Sequence, residues 1–228
     1  MALRMPALEF FGLPGVGKST VAAHLSSAES TASTEPRFTA AVLRRSKLSL
    51  LRRPDLAILA TATALRIYRG IDAPEGSRRR RYAKVVRALV HVMAASNRDV
   101  VYVLDEGPFN WIMSLRWRDE HGLERATKTL VTFYRRTNAN LVILEASAER
   151  TRERRIRRRN LSSTRAPKHV DVTVSWGARA RQFERMVARL SADNDYILRF
   201  SNDDDGDPER IATAIRCHII KTWDGDVR

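Results

Sequence analysis

Cysteine is almost absent from this chain of 228 residues. Cys217 stands alone, so no disulfide can form within the chain. Long apolar runs are missing as well. No stretch of about 18 apolar residues occurs, which argues against a membrane-spanning helix. The apolar residues after the first six run straight into the strongest motif of the chain. Cleavage there would destroy that motif, so the N-terminus does not read as an export signal, and a cytoplasmic protein is expected. Internal repeats and long linkers are absent, and one domain over 1–228 is expected. Acidic residues are in deficit: 26 stand against 41 Lys and Arg, a net charge of +15, and 35 of the basic residues are arginine. Such a surplus calls for an anionic partner: a nucleotide, a phosphorylated substrate, nucleic acid or a membrane surface. A GC-rich genome also raises arginine over lysine, so charge alone does not establish a nucleic-acid binder. His24 and His169 have no ligand-like partners in sequence, and His91 lies near the apolar face of a helix. No metal site of His and Cys is supported, and no Ser-His-Asp arrangement can be argued.

What is present is an alternation of strands and helices. Buried strands are expected at 7–13, 99–104, 140–145 and 195–200, with a further one at 37–45. Helices are expected at 18–28, 54–68, 79–95, 109–118, 123–137, 148–160, 176–191 and 208–221. A turn at His121-Gly122 divides the fourth from the fifth. The segments 72–77, 161–170 and the acidic 202–207 read as loops. In 79–95, Tyr82, Val85, Val86, Leu89 and Met93 recur at amphipathic-helix spacing; in 54–68, Leu56, Leu59, Thr63 and Ile67 fall on one side. Apolar strands without period-2 polarity mean a parallel sheet of about five strands, covered by helices on both faces. Ligands of such sheets bind beyond the carboxyl ends of the strands.

One of those ends carries a phosphate-binding pattern. Gly12, Leu13, Pro14, Gly15, Val16, Gly17, Lys18, Ser19 and Thr20 match G-x-x-x-x-G-K-[ST], with a strand before and a helix after. The glycines let successive backbone N–H groups wrap a phosphate. The helix N-terminus adds partial positive charge. Lys18 is the expected partner of the β- and γ-phosphates, Ser19 a Mg²⁺ ligand, and Thr20 a contact of the α-phosphate. A second strand ends in Asp105 and Glu106. Two carboxylates there need a cation nearby: Asp105 is the expected metal-binding carboxylate, and either can accept a proton from an attacking hydroxyl. A third strand leads to the run 150–159, Arg-Thr-Arg-Glu-Arg-Arg-Ile-Arg-Arg-Arg. Arg150, Arg154 and Arg158 share one helical face, with Arg157 beside them, and guanidinium groups suit the spread charge of a moving phosphoryl group. A solvated cationic face or nucleic-acid patch is the alternative. The run 78–81 reads as surface. Trp111, Trp117 and Trp176 read as packing residues ahead of a substrate pocket.

The chain resembles the nucleoside monophosphate kinase-like group of P-loop kinases, with thymidylate kinases the nearest familiar members. GLPGVGKST at 12–20, VVYVLDEG at 100–107 and LVILEASAERTRERRIRRRN at 141–160 carry the resemblance. A helix with Phe183, the strand at 195–200 and Asp207-Pro208-Glu209 opening the last helix extend it over most of the chain. The resemblance implies a P-loop NTPase fold, with a five-stranded parallel sheet in the order 2-3-1-4-5 and a mobile Arg-rich lid at about 148–170. It places Lys18, Ser19, Asp105, Arg154 and Arg158 where the group has functional residues. Thymidylate kinases usually carry Asp-Arg at the end of the third strand, where this chain has Asp105-Glu106. No clear match to that group's acceptor-base motif occurs. The acceptor therefore need not be thymidylate, nor a nucleotide; the stretch from about 40 to 98 is expected to build its site.

The expected function is transfer of the γ-phosphoryl group of ATP, with Mg²⁺, to a small anionic or hydroxyl-bearing acceptor. The rival is an ATPase or GTPase with a conformational output, in which Glu106 activates water. No guanine-selecting Asn-Lys-x-Asp segment is present, which lowers the GTPase odds. A nucleic-acid-acting ATPase is a third reading that rests only on charge. A homodimer is compatible with all three.

Overall fold

The structure, a computed structural model, describes residues 7–27, 38–40, 54–72, 78–95, 100–104, 107–161, 176–190, 196–203 and 207–225. Strands β1 (Ala7–Phe11), β2 (Phe38–Ala40), β3 (Val101–Leu104), β4 (Ala139–Glu145) and β5 (Ile197–Ser201) alternate with helices. The helices are α1 (Lys18–Ser27), α2 (Pro54–Tyr68), α3 (Arg78–Ala95), α4 (Pro108–Met113), α5 (Glu120–Thr137), α6 (Ala148–Leu161), α7 (Trp176–Arg189) and α8 (Pro208–Gly225). The class is α/β with a parallel sheet. Its body is β3-β1-β4-β5, and the three-residue β2 pairs on the outer side of β3.

The pleat sorts the strand residues to two cores. Leu8 and Phe10 of β1, Val101 and Val103 of β3, and Val142 and Leu144 of β4 face one side, where Val21 and Leu25 of α1 meet Ile211, Ile215 and Ile219 of α8. Ala7, Phe11, Leu104, Leu141 and Ile143 face the other side and pack under α2, α3, α4, α5 and α7. There Phe11 stands 5.6 Å from Phe109 and 5.1 Å from Phe183, ring centre to ring centre. Strands buried on both faces need no polar alternation, which is why the sequence shows none.

The predicted pattern in α3 is observed: Val85, Leu89 and Met93 are buried, and Tyr82 and Val86 pack at the margin. In α2, Thr63 and Ile67 are buried and Leu59 is partly so; the side chain of Leu56 lies outside the described residues. His91 of α3 is half-buried, and burial, with Arg87 next, holds its pKa below the usual histidine range.

Two expectations are corrected. His121 and Gly122 form no turn; they belong to the first turn of α5. Asp119 caps that helix, its side chain accepting Gly122 N, and this local bond fixes the start three residues earlier than expected. Gly122 serves close packing instead. A Cβ there would lie 3.1 Å from Gly70 O and 3.2 Å from Trp117 Cε3. The helix predicted at 109–118 stops at Met113. Ser114 donates both its N–H (3.0 Å) and its hydroxyl (2.7 Å) to Trp111 O. The chain then runs back to bridge Ile71 through Trp117. Of the predicted strand at 37–45, residues 38–40 are strand; the rest, and the loops at 73–77, 162–170 and 204–206, lie outside the described residues. Among the described residues, no helix is long and apolar enough to cross a membrane.

Candidate phosphate site at the carboxyl edge of the sheet

Because β1, β3, β4 and β5 are parallel, the segments after them leave the sheet at one edge. The turn after β1 is the glycine-rich segment. Val16 N donates to Leu13 O (3.2 Å), and Gly15 and Gly17 take φ of 99° and 101°. That left-handed region is one L side chains rarely adopt. Thr20 N and Val21 N then bond Gly17 O, both at 3.1 Å, and open α1. Gly12 is required by proximity, since a Cβ would stand 2.6 Å from Leu144 O at the end of β4. Lys18 Nζ donates to Gly12 O (2.8 Å) and Leu13 O (3.1 Å), so the ammonium lies over the loop. Ser19 and Thr20 are exposed at the helix start.

The end of β5 locks onto this loop. Asn202 is buried, and its Nδ2 donates to Val16 O at 2.6 Å. Its backbone N–H bonds Glu145 O at the end of β4 (2.7 Å). A Cβ on Gly17 would lie 2.6 Å from the Asn202 Nδ2, so the two residues fit each other only with glycine at 17. Asp203 in turn accepts the N–H of Ser147, just before α6. In the sequence Asn202 reads only as the start of an acidic loop; its pairing with Val16, far away in the chain, leaves no local signal.

The basic helix reaches the same place. Arg154 is half-buried and its Nη1 donates to Asn202 O at 3.4 Å. Arg150 is half-buried too, with an Nη1 that is buried and unbonded among the described residues. Arg157 is exposed. The backbone of Arg158 is helical, but its side chain lies outside the described residues, as do Asp105 and Glu106 altogether. What is described on either side of the carboxylate pair is Leu104, in register with Glu9 of β1, and Gly107.

Glu9 is a second residue to which the sequence motifs do not point. It is fully buried within β1, between Ala7 and Phe11 on the α4–α5 side. Its Oε1 accepts Phe109 N (2.9 Å), Asn110 N (3.2 Å) and Asn110 Nδ2 (3.3 Å). Its Oε2 takes the hydroxyl of Tyr134. Asn110 Nδ2 also donates to Phe10 O. Desolvation pushes the Glu9 pKa up to about 7, against the lowering effect of Tyr134 and of the α4 amides. Burial, then the Glu9 charge, holds the Tyr134 hydroxyl well above its usual range. The available signal was a lone acid in an otherwise apolar strand, which demands buried donors.

Trp111 is half-buried with Lys84 Nζ 5.1 Å from its ring centre. Trp117 and Trp176 pack at the margin of the larger core. No family model matches the chain, and no curated protein matches it.

Proposed function

We propose that the chain is an ATP-dependent phosphotransferase on a P-loop NTPase fold, moving the γ-phosphoryl group of ATP to a small-molecule acceptor. The observation that carries the reading is the turn at 12–17. It leaves β1 at the carboxyl edge of a parallel sheet, holds two glycines at positive φ, and ends in Lys18 at the start of α1. The strand order β2-β3-β1-β4-β5 agrees with the order expected for that fold. The residues present fit a triphosphate with Mg²⁺. Gly15 and Gly17 hold the turn at positive φ, a lysine ammonium lies over the loop, and a serine hydroxyl is exposed at the helix start.

In this reading backbone N–H groups of the 12–20 segment hold the phosphates, apart from Pro14, which has none, and Val16 and Thr20, whose N–H groups bond Leu13 O and Gly17 O; the positive end of α1 aids them. Lys18 exchanges its carbonyl partners for phosphate oxygens. Ser19 and Asp105 would hold Mg²⁺, which would neutralise charge on the nucleotide. Glu106 or Asp105 accepts the proton of the acceptor hydroxyl. Arg154 and Arg158 stabilise the charge on the transferred group. Catalysis is then mostly positioning and electrostatics.

The test is transfer from labelled ATP to a panel of nucleosides, nucleotides, sugars and other small hydroxyl or phosphate compounds. Transfer to one class of acceptor is expected, nearly abolished in Lys18→Ala while the variant stays folded. Wild-type turnover in folded Lys18→Ala would remove the loop from the mechanism. Hydrolysis indifferent to every acceptor and suppressed by Glu106→Gln would mark an ATPase instead.

A further inference from the structure

Glu9 belongs to none of the motifs that carry the proposed chemistry, yet it occupies the middle of the strand that ends in the phosphate loop. Burying a carboxyl there is unfavourable, where burying an apolar side chain would be favourable, unless donors offset the lost hydration. Those donors come from one place. Two backbone N–H groups and one side-chain amide of the first turn of α4 converge on Oε1, and Tyr134 of α5 closes Oε2. Gly107, just before α4, lies so close that a Cβ would stand 2.4 Å from Glu9 Cδ. Leu104, the last residue of β3, is the register partner of Glu9 in the sheet. Both flanks of the two-residue link that carries Asp105 and Glu106 are therefore referenced to a single residue of β1. Asn110 strengthens the tie, because the same amide that reaches Glu9 also bonds Phe10 O.

We propose that Glu9 is a positioning residue that couples the phosphate-loop strand to the start of α4, so that the wall of the crevice after β3 keeps a fixed depth relative to the bound nucleotide. The proposal rests on the phosphotransferase reading for its kinetic consequence, and on the hydrogen bonds of Glu9 for the coupling itself. A leucine at position 9 would fill the space and leave the α4 amides without their acceptor. A glutamine would keep one acceptor oxygen for those amides and donate its NH₂ to the Tyr134 hydroxyl, which accepts as readily as it donates.

The experiment compares wild type, Glu9→Gln and Glu9→Leu in two measurements: steady-state transfer from ATP, and amide hydrogen exchange at Phe109 and Asn110 with and without Mg²⁺-ADP. Glu9→Leu is expected to lower kcat by about tenfold or more while ATP affinity changes by less than about threefold, and Glu9→Gln to recover most of the loss. Mg²⁺-ADP is expected to slow exchange at both amides in wild type and Glu9→Gln, and not in Glu9→Leu. Equal losses of kcat in the two variants would overturn the proposal. So would nucleotide protection that persists in Glu9→Leu, or that is missing from wild type. Should Glu9→Leu fail to fold, Asn110→Ala takes its place: it removes the side-chain donor and the Phe10 bond but leaves both backbone amides on Glu9, so a lowered kcat with nucleotide protection retained at Phe109 is expected, and an unchanged kcat would overturn the proposal. A wild type that shows the protection but transfers phosphate to no acceptor would sink the phosphotransferase reading while upholding the coupling.

Discussion

At the residue scale, one buried acid and one capping acid do work that their neighbours in sequence do not explain. Glu9 is held protonated to higher pH in the folded chain, about 7, than the 4.5 of an unperturbed glutamate. The folded state thus keeps a proton between those values that the unfolded chain has released. The stability this provides is complete below about 4.5, falls as pH rises toward 7, and levels off above it. A shift of that size corresponds to a loss on the order of 3 kcal/mol across the window. We predict that urea unfolding of wild type, compared with Glu9→Gln at each pH from 4.5 to 8, shows the difference between them drifting in that direction. A constant difference would mean that Glu9 does not titrate in this range. Both protonation states can be accommodated, because the Tyr134 hydroxyl can donate to a carboxylate or accept from an acid. Asp119 is the simpler case. Its side chain accepts Gly122 N at the start of α5, and Asp119→Ala is expected to cost about 1 kcal/mol in the same assay. A loss below about 0.3 kcal/mol would show that the cap is dispensable.

At the scale of elements, α5 and α6 show how helix ends and faces are spent. α5 has Glu120 in its first turn, Arg135 and Arg136 in its last, and a left-handed Asn138 (φ 52°) beyond it. All three match the helix dipole and its unpaired carbonyls. This matching fixes its length, and its apolar face, with Leu123, Leu130, Phe133 and Tyr134, fixes where it lies. Among its described side chains, α6 shows little such face. Ile156 is 49% exposed, and Arg152 and Arg157 are exposed beside it. Its tie to the rest of the chain includes Arg154, which meets Asn202 and hence the glycine-rich turn at 12–17. We predict that Arg154→Ala lowers kcat by about tenfold to a thousandfold with a smaller change in ATP affinity, as loss of a contact made in the transition state does. Arg79→Ala, in the basic run 78–81, serves as the comparison and is expected to be nearly silent. Equal kcat in wild type and Arg154→Ala would return α6 to a merely solvated role.

At the scale of the whole molecule, the charge of +15 is the property most open to misreading. Nucleic acid binds such a surface without specificity, by releasing counterions. A contact with 6–10 phosphates loses about a thousandfold to a hundred-thousandfold in affinity between 50 and 200 mM salt. A triphosphate held by backbone N–H groups in a glycine turn depends far less on the bulk charge. We predict that oligonucleotide binding collapses over this range while thermal stabilisation by Mg²⁺-ATP persists and is absent in Lys18→Ala. Stabilisation by mass action is about 2.7 kcal/mol at a hundred times the dissociation constant, well within reach of a melting curve. Oligonucleotide binding that survives 200 mM salt, with no shift by Mg²⁺-ATP, would favour the nucleic-acid reading.

The sequence by itself determined the α/β class, the parallel sheet and the turn at 12–17, because these rest on local patterns. Short apolar runs rich in β-branched residues and bounded by turn signals read as strands covered on both faces, and glycines at fixed spacing before Lys18 read as a wrapped turn followed by a helix. It also placed α2, α3 and α5 to within a few residues, apart from the start of α5. There a side-chain cap at Asp119 and the contact of Gly122 with Gly70 overruled the turn propensity of glycine. Tertiary structure alone decided the partners of Glu9 and Asn202. Phe109, Asn110 and Tyr134 lie 100, 101 and 125 residues from Glu9, and Val16 lies 186 from Asn202. A buried polar group must find a donor or acceptor somewhere, and composition can announce that need. Which residue answers it depends on how the strands are ordered in the sheet, and no local pattern carries that order.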